Sequence, residues 1–322
     1  MYAKQFFNTI DPLEETIAFE SLWALEGMTE SKLTGLFKSA SNDSPLLPTQ
    51  ALEKLKREYL CNRDFSKINI QPIDSIRSDV LSYIKTKMGQ FSICLNGDFQ
   101  YPKDLRKAKH PLELFYYRGN LDLLNARLIS IVGAREASQE GVLRATRLAK
   151  ELGQAGLFIV SGLAKGIDTA ALTLAIANGN KVVAVIGTPI DKVYPKENGH
   201  LQDIIASEHL LISQVPFFQY AQESFKEHRF HFPRRNATMA AISEGTVIVE
   251  ASESSGTLIQ ARACIQQGKP LFILDSCFNN SNITWPYHYL KLGAIRVKKT
   301  EDILQNLPSS VKTSLFNENN KL

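Results

Sequence analysis

The pattern of apolar positions divides the chain in two. Up to about residue 92, apolar side chains recur at helical spacing with few β-branched runs. Residues 17–25 carry such a stripe. Gly27 and Met28 interrupt it, and Thr29 is placed to cap a helix over 30–37. Residues 52–60 and 76–88 predict further helices, with a loop by composition over 41–48. From Leu128 the texture changes. Short apolar runs at 128–132, 157–160, 181–186, 210–213, 246–249, 270–274 and 294–297 read as strands. Between them, helices are predicted at 138–154, 167–177, 235–242 and 258–267. Apolar strands alternating with amphipathic helices predict an α/β fold with a parallel sheet covered on both faces. The expected organisation is a small helical domain over 1–92, the sheet domain over 93–306 and a polar tail over 307–322, frayed from about 312.

Composition narrows the classes. Of 322 residues, 44% are apolar, enough for a sizeable core. A net charge of +4 permits a nucleic-acid partner without arguing for one, so what matters is where the cations cluster. Cys61, Cys94, Cys264 and Cys277 are scattered and form no Cys-x-x-Cys pair, which speaks against zinc and for a reducing cytoplasm. The first residues lack a signal-peptide core, and no run is long enough to span a bilayer, so no membrane association is expected. His228 and His231 stand three apart, but no acidic or cysteine partner completes a metal motif. No metal and no cofactor are expected.

Ligands of such sheets sit beyond the carboxyl ends of the strands, and five loops fall there. In Gly133–Ser138, Gly133 allows a tight turn, Ser138 can cap the next helix, and Arg135 is either a phosphate clamp or a solvated side chain of an ordinary turn. In Ser161–Asp168, Gly162 and Gly166 bracket Lys165, which can meet a phosphate as a point charge. Asp168 reads as structural, and the spacing matches neither a Walker A loop nor a dinucleotide fingerprint. In the third loop, Tyr194 either stacks on a base or simply packs. The fourth, residues 225–236, alternates basic and aromatic side chains. That is the composition of a single-strand groove, or of a basic loop anchored by phenylalanines. In the fifth, Ser255, Gly256 and Thr257 precede a helix whose first N–H groups are expected to be free for an anion. Glu250 can bind a ribose, orient Arg235, or take part in capping and an ion pair.

Taken in order, these segments resemble the DprA/Smf family of DNA-processing proteins. The match is carried by Tyr101-Pro102 with Leu105, Tyr117–Gly119, Val132–Arg135, Ser161–Asp168, Tyr194-Pro195 with Glu197-Asn198, Phe232–Asn236, Val249–Ala251 and Ser255–Thr257. The resemblance implies an extended Rossmann-like fold that binds single-stranded DNA by phosphate contacts in a basic pocket, without hydrolysis. It also implies a homodimer that protects DNA in natural transformation and helps load RecA recombinase. On that pattern Arg135, Lys165, Arg234 and Arg235 are the candidate contacts. Gly133, Ser161, Gly162, Gly166, Asn236, Ser255, Gly256 and Thr257 shape the pocket. The chain departs from the family at Ala134, Leu172, Gln214 and 274–277, and is expected to lack the C-terminal winged helix, which marks a divergent member. An alternative is a nucleotide-binding enzyme or sensor. Ser254–Thr257 with Glu250 resembles, more loosely, the phosphoribohydrolases of the lysine-decarboxylase-like family, but lacks their glycine doublet and has Gln260 where they have a glutamate.

Overall fold

The computed structural model describes residues 10–39, 45–59, 68–108 and 111–308. The expected frayed segment 312–322, part of the 41–48 loop, Leu60 and Cys61 lie outside these. Nine strands form one sheet: β1 (Ser92–Leu95), β2 (Leu114–Gly119), β3 (Leu128–Val132), β4 (Phe158–Ser161), β5 (Val182–Ile186), β6 (Leu210–Ser213), β7 (Thr246–Ile248), β8 (Leu271–Leu274) and β9 (Ile295–Val297). Their order is β1-β2-β6-β5-β4-β3-β7-β8-β9. The run from β6 to β9 is parallel, whereas β1 and β2 pair antiparallel at one end. The seven strands predicted from apolar runs are the parallel ones. β3 and β5 are buried along their whole length, as a sheet covered on both faces requires. β1 and β2 are additions to the predicted sheet: one is only four residues long, and the other has an apolar-aromatic start without alternation.

Helix starts follow local chemistry. Asp11 accepts from the N–H of Leu13 at 2.9 Å and Pro12 opens the helix Pro12–Ala24, so this helix begins earlier than its apolar stripe. Thr29 caps Glu30–Phe37 as expected, accepting from Lys32 N at 3.4 Å. Ser138 caps Gln139–Gln154 through Gly141 N at 2.9 Å.

Pro12–Ala24 packs on the helices Pro48–Glu58 and Ile73–Lys85, and also on Phe217–Gln222, which follows β6. Its buried Ile17, Phe19 and Leu22 belong to the same apolar cluster as Ile129, Ile159 and Val247 of the sheet. A separate cluster, with Val160, Val185, Met239 and Ile273, covers the opposite face. The helical region is joined to the sheet by a polar contact as well. Glu20, fully buried, accepts the phenolic O–H of Tyr116 on β2 and the N–H groups of Phe217 (2.8 Å) and Phe218 (2.9 Å).

Candidate nucleic-acid interface

The strand order reverses at β3. The chain runs outward through β4, β5 and β6 on one side and places β7, β8 and β9 on the other. The connections from β3 and β7 therefore lead to opposite sides of the sheet, and a crevice opens at the carboxyl ends of these strands. A cavity of about 490 Å³ lies there, lined by Gly133, Arg135, Arg235, Asn236, Ser255 and Thr257 among others.

Arg235 is the centre of the arrangement. Its side chain comes from the helix His231–Ile242 and is 5% exposed. Nη1 donates to the carbonyls of Gly162, just after β4, and of Val185 in β5 (2.8 Å), while Nε donates to Asn236 Oδ1 at 3.0 Å. Asn236 Nδ2 in turn donates to Gly256 O at 3.3 Å. Gly162 is glycine for space: a Cβ there would stand 2.0 Å from Arg235 Nη1. Asp168 is buried behind the guanidinium and accepts from Gly162 N (3.1 Å) and Ala164 N (3.4 Å). Burial pushes the Asp168 carboxyl up while Arg235 pulls it down. Burial also lowers Arg235 to about 10, against the attraction of Asp168, so it stays protonated at neutral pH.

Two cations approach the Phe232 ring, the Arg135 guanidinium at 5.6 Å and that of Arg235 at 5.8 Å. Tyr194, 46% exposed, meets the same ring at 5.7 Å. Arg135 is exposed and forms no ion pair with a described residue. The arrangement can present a planar guanidinium and an aromatic face to a phosphate and a base.

Several expectations change. Residues 225–236, read as a loop, are the helices Phe225–His228 and the start of His231–Ile242. Pro233 sits in the first turn, where its missing N–H leaves no helical bond unmade. Along that helix consecutive side chains diverge. Arg234 turns to the helical region, 4.9 Å over Trp23 and 3.7 Å from Glu30, and does not line the cavity. Lys165 pairs with Glu197 at 2.7 Å and, with Gly166, lines a shallow depression against Gln139–Gln154 instead. Ser161 is buried and donates to Ile131 O at 2.7 Å, so with Gly162 it supports the site from behind.

The helix Thr257–Gln266 does not offer the free N–H groups expected of it. Thr257 N donates to Ser255 Oγ (3.2 Å), Leu258 N to Ser255 O (3.0 Å) and Ile259 N to Gly256 O (3.1 Å). Thr257 Oγ1 donates to Gly133 O at 3.0 Å, tying the two loops together. Glu250 neither orients Arg235 nor lines the cavity. Its two oxygens accept from Ser138 N (3.1 Å) and Ser138 Oγ (2.6 Å). The charged lining residues are Arg135, Arg235, Glu136 and Asp168, so the cavity has no formal surplus of positive charge.

Gly166 begins the helix Ile167–Ala177 at φ +74°, and a Cβ there would lie 2.3 Å from the backbone oxygen of Ala134. Both the left-handed backbone and the contact demand glycine. Gly166→Ala is expected to lower stability by about 1–3 kcal/mol, read as an earlier midpoint in urea; an unchanged midpoint would mean that the loop yields freely.

His228 stacks on Tyr220 at 3.7 Å and bonds its carbonyl, and His231 bonds Glu223 at 2.6 Å. Among the described residues no group of three potential ligands gathers, and no helix is long and apolar enough to cross a membrane.

Residues 92–308 match the family model of DNA recombination-mediator protein A. The chain belongs to this family. The match covers the whole sheet and each loop described above. The DNA processing protein DprA of Streptococcus pneumoniae is 37% identical over 218 residues, 68% of this chain and 74% of that protein. That of Bacillus subtilis is 33% identical over 65% of this chain and 69% of its own length. The crystal structure of the S. pneumoniae protein covers 94% of this chain and 99% of its own, with TM-score 0.69 and 28% identity. A DNA processing protein A from Helicobacter pylori, solved to describe its single-stranded DNA binding mode, superposes with TM-score 0.58 and 25% identity over 69% of this chain and 99% of its own. This chain carries Gly133-Ala134-Arg135 at the first loop, and Leu172 in the helix after the second is fully buried.

Proposed function

We propose that this chain binds single-stranded DNA at the crevice where the strand order reverses, holding phosphate at Arg135 and Arg235 and stacking bases on the neighbouring aromatic faces. The observation that carries the reading is Phe232 approached by two guanidinium groups, one of them exposed and without an ion-pair partner among the described residues. Such a surface recognises backbone and ring faces and is tolerant of sequence. The relative from H. pylori, which binds single-stranded DNA, supports the assignment. Homodimerisation, a cytoplasmic setting and delivery of the strand to RecA recombinase belong to the same proposal, carried by the family resemblance alone. The hydrolase alternative loses its proposed carboxylate, because Glu250 is held by Ser138.

The test is fluorescence anisotropy of a labelled single strand at several salt concentrations, with duplex as competitor. Arg135→Ala is expected to weaken binding roughly tenfold, about 1.4 kcal/mol, and to reduce the log–log salt slope by ~0.7. Its melting curve should match the wild type, because the side chain is exposed. Equal affinity for the two proteins would remove Arg135 from the interface; absence of any low-salt binding by the wild type would overturn the reading.

A further inference from the structure

The more cationic cavity of the molecule is not the one described above. A second cavity, of about 360 Å³, lies beyond the carboxyl ends of β8 and β9, against the helix Gln139–Gln154. Four cations line it, Arg144, Arg147, Lys298 and Lys299, against two carboxylates, Glu151 and Asp275, a formal surplus of two positive charges. Both carboxylates are already engaged. Glu151 accepts from Arg147 Nε at 2.7 Å and from the Thr300 hydroxyl, and Asp275 accepts from Arg296 Nε at 2.6 Å. Among the described residues no carboxylate stands within ion-pair distance of Arg144, Lys298 or Lys299, although Asp302 attracts the two lysines from outside the cavity, and Arg144 is half-buried. A guanidinium removed from part of its water without a carboxylate partner is a site that gains from an anion.

The frame around these cations is fixed. Arg144 and Arg147 stand three apart on one helix and so share a face. Asp302 Oδ2 accepts the backbone N–H of Lys298 (2.9 Å) and of Lys299 (3.1 Å), which holds the loop after β9. The floor is apolar, made by Leu148, Leu274 and Val297, and Ser276 and Asn279 add neutral polar groups at the side. Cations over an apolar floor suit a group that is anionic at one end and flat or apolar at the other.

We propose that this cavity is a second phosphate-binding site, taking the phosphate of a nucleotide whose sugar or base rests on the apolar floor. That nucleotide is either a further residue of a strand held at the first cavity or a free nucleotide. The strand arm rests on the function proposed above; the free-nucleotide arm does not.

The double variant Arg144→Ala/Lys299→Ala separates them. Labelled thymidine oligomers of about 6 and about 30 nucleotides span the short and long ends of single-strand site sizes. If the strand fills the site, the variant should lose roughly tenfold in affinity for the long oligomer, with a salt slope smaller by ~1.4, and keep its affinity for the short one. If a free nucleotide fills it, calorimetric titration with thymidine 5′-monophosphate should show binding that the double variant loses and Arg135→Ala keeps. Wild-type behaviour of the double variant with both oligomers and with the monophosphate would overturn the proposal. Should that variant melt early, Lys298→Glu/Lys299→Glu, at two exposed positions, makes the same comparison. Loss in the double variant with full oligomer affinity in Arg135→Ala would sink the first-cavity reading and leave this one standing.

Discussion

Arg235→Ala is expected to lower the stability of the fold by about 3–5 kcal/mol and to abolish strand binding. The guanidinium joins β4, β5 and the helix His231–Ile242 through Gly162 O, Val185 O and Asn236 Oδ1. Truncation leaves two buried carbonyls without their donor and removes the cation whose attraction opposes the upward push of burial on the Asp168 carboxyl. Breaking one partner of a buried charge pair costs more than the pair contributes, because the remaining charge stays desolvated. Arg235→Lys should recover only part of the loss, since an ammonium cannot span three acceptors with the planar fork. Denaturation in guanidinium chloride reads the first effect and anisotropy the second. A wild-type midpoint for Arg235→Ala would show that the network is not what holds the crevice together.

The second large effect is a dependence of stability on pH that passes through Glu20. Its full burial outweighs the hydrogen bonds from Tyr116, Phe217 and Phe218 and raises its pKa from 4.5 to about 7. In the unfolded chain the carboxyl ionises near 4.5, so between these values the native state holds a proton that the unfolded state has lost. Stability from this group is complete below about pH 4.5, falls as pH rises, and levels above about 7, a change on the order of 3 kcal/mol. Glu113, raised to about 7 by burial against its bond from Asn96, acts in the same window and sense. Buried His231, whose pKa is lowered, acts in the opposite sense as pH falls. The Glu20→Gln difference from wild type isolates the Glu20 share. The wild type should lose stability relative to Glu20→Gln between pH 5 and pH 7.5. A difference that stays constant across that range would falsify the assignment. Glu20 holds Pro12–Ala24 to β2 and to Phe217–Gln222, so this pH dependence resides in the contact that joins the helical region to the sheet.

The sequence by itself determined the parallel sheet and the location of the crevice. Strands of a parallel sheet covered on both faces are largely apolar runs, so β3 to β9 stood out, and the caps Thr29 and Ser138 could be read from local hydrogen-bonding chemistry. Glycines and hydroxyls after β3, β4 and β7 marked the loops that converge, because only such residues permit close approach of backbones there. Short β1 and β2 carried too little periodic signal, and they owe their place to pairing with β6, a contact far along the chain. Which cation faces the crevice was decided by tertiary structure. Arg234 and Arg235 are adjacent in sequence, and the helix that starts at His231 sends one to Trp23 and buries the other against Gly162 and Val185. Lys165 was withdrawn by Glu197, Glu250 by Ser138, and the N-terminus of Thr257–Gln266 by its own turn. The physical reason is common to all of these. A motif specifies which charges and donors a loop carries, but each is free for a ligand only if no partner from a distant segment satisfies it first, and those partnerships exist only once the chain has packed.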